Sequence, residues 1–255
     1  MEQPGTSLNK VAQITLLFWL MKIVATTLGE TLGDFIAQTL GLGYSIGLAV
    51  TFLFFATALF LQLNAKKYIP ALYWLVIIGT TTFGTEISDF IDRSLHLGYA
   101  LGSLLLVSLL SLSLYFWFKR FRNLEVYPIF ERSKELYFWM AVLFSNSLGT
   151  AFGDFLSDDI EFSYLTGAVV TGFIIIAVVA LHYFTKINHI LLFWIAFIFT
   201  RPFGATFGDF LTKPLAKGGL DLGTLNASLV SIALMVLLIF LSHHHLKKNE
   251  ITNEV

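Results

Sequence analysis

Four aspartates, Asp34, Asp89, Asp154 and Asp209, each precede a phenylalanine and follow a glycine or serine, in sequence that is otherwise apolar. Two glutamates lie just inside them: Glu30 four residues before Asp34, and Glu86 three before Asp89. On a helix, residues three and four apart share a face, so Glu30 and Asp34 form one stripe with Thr27 beyond them. The matching stripes are Thr82, Glu86 and Asp89 in the second copy, and Ser147, Thr150 and Asp154 in the third. The fourth has Thr206 and Asp209, with Pro202 in place of the hydroxyl. Carboxylate and hydroxyl oxygens suit hard cations such as Mg²⁺, Mn²⁺, Ca²⁺ or Na⁺, and carboxylates also exchange protons. Lys22 and Arg201 sit deeper in the apolar runs and are the candidate counter-charges. An ionisable group at mid-membrane costs about 2.5–3.5 kcal/mol on insertion scales, so such groups normally face a bundle interior or water. The four stripes are therefore expected to converge near one end of the molecule, in an acidic cavity between the repeats.

Aligning on the aspartates gives one frame, W-x9-G-x4-D-F, met at Trp19, Gly29 and Asp34; Trp74, Gly84 and Asp89; Trp139, Gly149 and Asp154; and Trp194, Gly204 and Asp209. Four of the five tryptophans fall in this register, which excludes chance alignment. Successive aspartates are 55, 65 and 55 residues apart, so whole halves repeat. The halves read as residues 1–122 and 136–255, joined by a linker at 123–135. Small residues also recur at four-residue spacing: Gly29/Gly33, Gly84/Ser88, Gly149/Gly153 and Gly204/Gly208. Later segments repeat the pattern at Gly43/Gly47, Gly98/Gly102, Ser163/Gly167 and Gly223/Ala227. Such pairs let helix backbones approach closely in lipid. They also carry the competing structural explanation, in which the aspartates only cap helix ends.

The elements that hold these residues follow from composition. The chain is 56% hydrophobic and 13% charged, with mean hydropathy +0.76, where soluble domains carry about 25% charge. A net charge of −1 gives no footprint for nucleic acid, and the lack of cysteine excludes thiolate sites and disulfides. No cofactor is expected. A hydrocarbon core of about 30 Å asks for roughly 20 apolar residues per helix. Eight runs meet this, near 11–33, 41–63, 69–88, 97–118, 136–153, 162–184, 190–208 and 222–241. Each is expected to be helical, since lipid offers no partner for an open strand edge. Lys10, Lys66, Lys67, Lys119, Arg120, Arg122, Arg132, Lys134, Lys186, Lys247 and Lys248 lie at one end of these runs, against Arg93, Lys213 and Lys217 at the other. That bias predicts both termini on the cytoplasmic side and the aspartates on the opposite side. The fold class is thus an all-α integral membrane protein, with four parallel two-helix repeats related about the membrane normal.

The Trp–Gly–Asp frame resembles a family of bacterial integral membrane proteins defined by four tandem copies of a two-helix repeat of unknown function. The resemblance covers about residues 11–241 and departs at Ser88, where the other copies have glycine. It implies eight helices in the bacterial inner membrane and is silent on mechanism. The "LGDF" and "FGDF" strings are also similar to the Gly-x-Gly-Asp loop of intramembrane aspartyl proteases, but Thr31, Ala151 and Thr206 stand where the first glycine belongs. No catalytic role is expected. The leading expectation is a secondary transporter for proton-coupled efflux of a hard divalent cation, with the lipid bilayer as its partner and that cation as its substrate. Its binding residues would be Glu30, Asp34, Glu86, Asp89, Asp154, Asp209, Thr27, Thr82 and Ser147, with Arg201 and Lys22 compensating charge. The alternative is a scaffold or sensor whose glycines and aspartates are structural.

Overall fold

The computed structural model describes residues 9–253, with side chains described through residue 242. Lys247 and Lys248, counted among the basic residues at one end of the apolar runs, therefore lie outside the described side chains. Eight α-helices are present and no strand among the described residues: α1 (Leu16–Asp34), α2 (Gly43–Asn64), α3 (Pro70–Asp89), α4 (Gly98–Phe121), α5 (Arg132–Asp154), α6 (Tyr164–Phe184), α7 (His189–Thr212) and α8 (Thr224–Asn253). Their starts carry local signals. Thr15 Oγ1 accepts from Phe18 N, Ser163 from Thr166 N and Asn188 from Ile190 N, and Pro70 opens α3.

Six of the helical segments are long and apolar enough to cross a membrane: Leu16–Thr39, Gly43–Asn64, Gly98–Phe121, Tyr164–Phe184, His189–Thr212 and Thr224–Ser242. The other two, α3 and α5, are 20 and 23 residues long but carry polar side chains along much of their length. The fold explains why they can. Thr80, Thr81, Thr85 and Glu86 on α3, and Glu135, Ser145, Asn146 and Ser147 on α5, are all buried against other helices.

The first helices of the repeats close a ring: α1 packs on α3, α3 on α5, α5 on α7, and α7 back on α1. Each second helix packs on the first helix of the following repeat, α2 on α3, α4 on α5 and α6 on α7. The last one, α8, returns to α1. A repeat is therefore an interlocked unit and not a self-contained hairpin, so no single repeat buries its own apolar face. The outer helices present exposed Leu, Phe and Val, such as Leu53, Phe60, Leu104, Val169, Phe173 and Phe240.

The repeated glycines are the ring's contact points. A Cβ on Gly29 would fall 2.2 Å from Thr81 Oγ1 on α3, and one on Gly149 would fall 2.4 Å from Arg201 Cβ on α7. Gly84 meets the α5 backbone at Ser147, and Gly204 meets Thr26 on α1, so one rule operates at all four joints. The pairs on the second helices behave differently. Gly43, Gly98 and Gly223 have open space around them and positive φ, so they serve the turn and not packing; only Gly47, Gly102 and Gly167 meet neighbouring side chains.

The tryptophan end is closed by aromatic packing of Phe18, Trp74, Phe138, Trp139, Trp194 and Phe197, with Val11 and Ala12 in the same cluster. Lys10 N donates to Ile129 O in the linker between the halves, and Asn9 O accepts from Tyr68 N in the connection from α2 to α3, which ties the N-terminal segment to both. Lys10 Nζ pairs with buried Glu135, whose Oε1 also accepts from Gln62 Nε2 at 2.9 Å.

Candidate functional site

The aspartates sit at the far end of the ring. Asp34, Asp89 and Asp154 each end an α-helix and begin a five-residue π turn: Phe35–Thr39, Phe90–Ser94 and Phe155–Asp159. Bonds from residue i+5 close these turns, from Leu40 N to Phe35 O, Leu95 N to Phe90 O, and Ile160 N to Phe155 O. Such wide turns concentrate at functional positions. The fourth aspartate differs. Helix α7 continues through Asp209 to Thr212, and the inserted "KPLAKGG" follows with a 3₁₀ turn at Leu215–Lys217. None of the first three aspartates caps a helix through its side chain, and all four are buried. The capping explanation is thereby corrected: the helical path runs on past each aspartate, which leaves the carboxylate free to bind elsewhere.

The structure joins the four aspartates in two pairs, each held by a base from one of its own helices. Arg93 lies 3.3 Å from Asp89 Oδ1 and 3.4 Å from Asp154 Oδ2, linking α3 to α5. Lys213 lies 3.1 Å from Asp209 Oδ1 and 2.7 Å from Asp34 Oδ2, linking α7 to α1. Sequence reasoning assigned both bases to membrane orientation and missed this role. The signal was present four residues after each aspartate, where the chain reads Gln38, Arg93, Asp158 and Lys213. Gln38 donates to Asp34 Oδ1 at 2.5 Å, and Asp158 accepts from Tyr99 at 2.7 Å. Burial alone would lower the pKa of the Lys213 ammonium, but Asp209 and Asp34 outweigh that and hold it above the ordinary lysine value. Lys213 is therefore charged throughout the neutral range.

One turn deeper, Arg201 Nη2 donates to Glu30 Oε2 at 2.8 Å and to Thr85 Oγ1 at 2.5 Å, with both charged side chains almost fully buried. Its Nε and Nη1 have no hydrogen-bond partner. The equivalent positions, seven residues after each tryptophan, hold Thr26, Thr81 and Asn146. Threonine or asparagine packs that level in three copies, and a full guanidinium in the fourth. Arg201 fits because Gly149 leaves room for its stem. Lys22 does not act as an acid's partner. Its Nζ donates to Asn146 Oδ1 at 2.8 Å and lies 4.1 Å from the Phe197 ring centroid, and it forms no ion pair among the described residues.

Carboxylate oxygens of Glu30, Asp34 and Asp209 all lie within 4.8 Å of one another, and all three residues are buried. This is the one such group of acids and histidines among the described residues, and it spans α1 and α7. The remaining expected ligands are placed elsewhere. Glu86 stands one position out of register with Glu30 relative to its tryptophan, and that single step turns it from the ring to the α2 side, onto Gly47. Thr82 bonds Ile78 O and borders an apolar cleft with Leu32, Ile36, Val50, Thr51 and Phe54. Ser147 bonds Leu143 O, and Thr150 bonds Asn146 O, both within their own helix. Thr27 Oγ1 is buried without a partner. Thr82 and Ser147 thus turn their hydroxyl protons to their own helices, and Thr85, which sequence reasoning passed over, is the hydroxyl bonded to the charged groups.

Comparison with known proteins agrees with the repeat geometry. The Repeat of Unknown Function (DUF347) family matches at residues 17–68, 72–123, 137–188 and 192–245, each match covering one inner helix and the outer helix that follows. No curated protein and no solved structure matches the chain. With four tandem matches spanning most of its length, the chain belongs to the DUF347 repeat family.

Proposed function

We propose that the chain is a secondary transporter for a small hard cation, with Glu30, Asp34 and Asp209 as its ligands. The observation that carries this is the convergence of three buried carboxylates within 4.8 Å. Three like charges so close repel unless cations compensate them. Arg201 and Lys213 supply two positive charges, so the group stays one charge short of neutral. In this reading a divalent cation enters between Asp34 and Asp209 and displaces the Lys213 ammonium, which returns when the cation leaves. Lys213 thus sets a competitive threshold for binding, while Arg201 stays as the fixed partner of Glu30. Oxygen donors from carboxylates favour Mg²⁺ or Mn²⁺ over softer metals.

The same reading takes all eight helices as crossing the bilayer of a bacterial inner membrane, α3 and α5 included, because α3 packs on α1 and α2 and α5 on α4 and α7, all four long and apolar enough to cross. The cyclic contacts and the matched glycine joints support an arrangement of repeats about the membrane normal. The excess of Lys and Arg at the tryptophan end supports cytoplasmic termini. The aromatic layer and the docked N-terminal segment then describe a state closed toward the cytoplasm.

A scaffold or sensor is the competing reading, favoured by the tight glycine joints and by the pairing of every ring aspartate with a base. Flux separates the two. Purified protein in liposomes loaded with a Mn²⁺-quenched dye should admit Mn²⁺ under an opposing pH gradient. Glu30→Gln and Asp34→Asn should abolish entry, with the protein still monodisperse. Absence of flux in the wild type for Mn²⁺, Mg²⁺ and Na⁺ alike refutes transport and leaves the scaffold.

A further inference from the structure

Glu86 is fully buried, and neither of its carboxyl oxygens has a hydrogen-bond partner. Its carboxyl lies directly on α2: a Cβ on Gly47 would fall 2.6 Å from Oε2, and one on Gly33 of α1 would fall 3.6 Å from Oε1. The charged groups around it are committed elsewhere. On α1, Glu30 is held by Arg201 and Asp34 by Lys213. On its own helix Asp89 is held by Arg93, which also holds Asp154 of α5 and donates to Tyr44 of α2 at 2.9 Å. Among the described residues no base pairs with Glu86.

We propose that Glu86 is a separate proton-binding site in the α2–α3 interface, reached from the lipid and not from the aspartate ring. An ionised carboxylate buried without a partner is strongly disfavoured, so the group needs an occupant. A metal ion does not fit, because it requires several oxygen ligands. The group of converging acids does not include Glu86, and the Thr51 hydroxyl of α2 is directed to Gly47 O at 2.8 Å. A proton needs only the one carboxyl. The approach from the lipid is the apolar cleft between α1 and α2, whose lining includes Thr82 and Thr51 and stops short of Glu86 itself. These lie one helical turn from Glu86 and Gly47, on the same faces. Loss of the proton would set an unpaired charge against the Gly47 backbone and force α2 away from α3. The site is independent of cation transport and stands whether or not the chain moves an ion.

Dicyclohexylcarbodiimide tests this on the full-length protein in phosphatidylcholine vesicles. A carboxylic acid adds across one C=N bond, its oxygen going to carbon and its proton to nitrogen. Without water to intervene, the acyl group then shifts to nitrogen and the whole reagent stays attached. The expected result is an adduct on the Glu86 peptide by mass spectrometry, forming about tenfold or more slower near pH 9 than near pH 6. A water-soluble carbodiimide should leave Glu86 unmodified, Glu86→Gln should lose the adduct, and Gly47→Ala should change its rate by displacing the carboxyl. The wild-type peptide map decides alone if either variant does not fold. Absence of an adduct, an adduct on Glu30, Asp34 or Asp89 instead, equal rates at both pH values, or equal modification by the water-soluble reagent would each overturn the proposal.

Discussion

Removing the Arg201 guanidinium while keeping its stem isolates the charge at the centre of the ring. Arg201→Met suits this, because the first atoms of the stem are what fill the space at Gly149. The substitution leaves Glu30 with Thr85 at 3.5 Å as its remaining hydrogen-bond partner, and with Asp34 and Asp209 close by. Breaking a buried ion pair by deleting one member costs about 3–5 kcal/mol, because the other charge is stranded. Both side chains are almost fully buried, so solvent screening does not reduce that figure. Glu30→Gln in the same background removes the stranded charge, and the double variant should recover about 2–3 kcal/mol of the loss. The assay is unfolding of the detergent-solubilised protein, followed by tryptophan fluorescence, for the wild type, both single variants and the double variant. A coupling energy below about 0.5 kcal/mol would refute the reasoning, because sites that do not interact add within that margin.

Other expectations follow from the same contacts. Gly149→Ala places a methyl 2.4 Å from Arg201 Cβ and 2.8 Å from Pro202 Cδ, so it should cost about 3 kcal/mol and reduce the folded yield on size-exclusion chromatography. Gly43→Ala has open space but a φ of +72°, and should cost only about 1–2 kcal/mol in the same assay. Lys10→Met strands Glu135 beside Gln62 and should lower stability by about 3 kcal/mol, read by thermal unfolding. Lys213→Met removes the competing ammonium and should tighten Mn²⁺ binding about tenfold, a change near 1.4 kcal/mol, measured by titration calorimetry. Because Lys213 is charged across the neutral range, its competition should not change between about pH 6 and pH 8 in the wild type. A Lys213→His variant, by contrast, should bind Mn²⁺ more tightly as pH rises.

The helices were legible in the sequence because lipid leaves an apolar chain few options: each apolar run became a helix within about five residues of its expected place, except that α8 continues to Asn253, well past the expected end at 241. The repeat frame was legible too, since Trp, Gly and Asp hold fixed spacing and the glycines pack as small residues do. The interlocking was not. Nothing in a run of Leu and Phe says whether α2 covers α1 or α3, because both partners offer similar apolar surface. The site was half legible. Arg201 was marked as a counter-charge by its depth, and the structure gives it Glu30. Lys22, one helical turn closer to the tryptophans, found Asn146 and Phe197, because the residue opposite it is set by ring packing and not by charge. Glu30 and Glu86 read as echoes of one another, yet one residue of register sends them to different interfaces. Arg93 and Lys213 were hidden in plain view by their position at helix ends, where basic residues are usually read as topology signals.

The central claim is that Glu30, Asp34 and Asp209 together hold a hard cation. Electron paramagnetic resonance of Mn²⁺ with the purified full-length protein tests it most directly. The account expects one bound Mn²⁺ per chain, displaced by Mg²⁺, weakened at least about tenfold by Asp34→Asn or Asp209→Asn, and unaffected by Glu86→Gln. Stoichiometric binding that survives both aspartate substitutions, or no bound Mn²⁺ in the wild type, would contradict it.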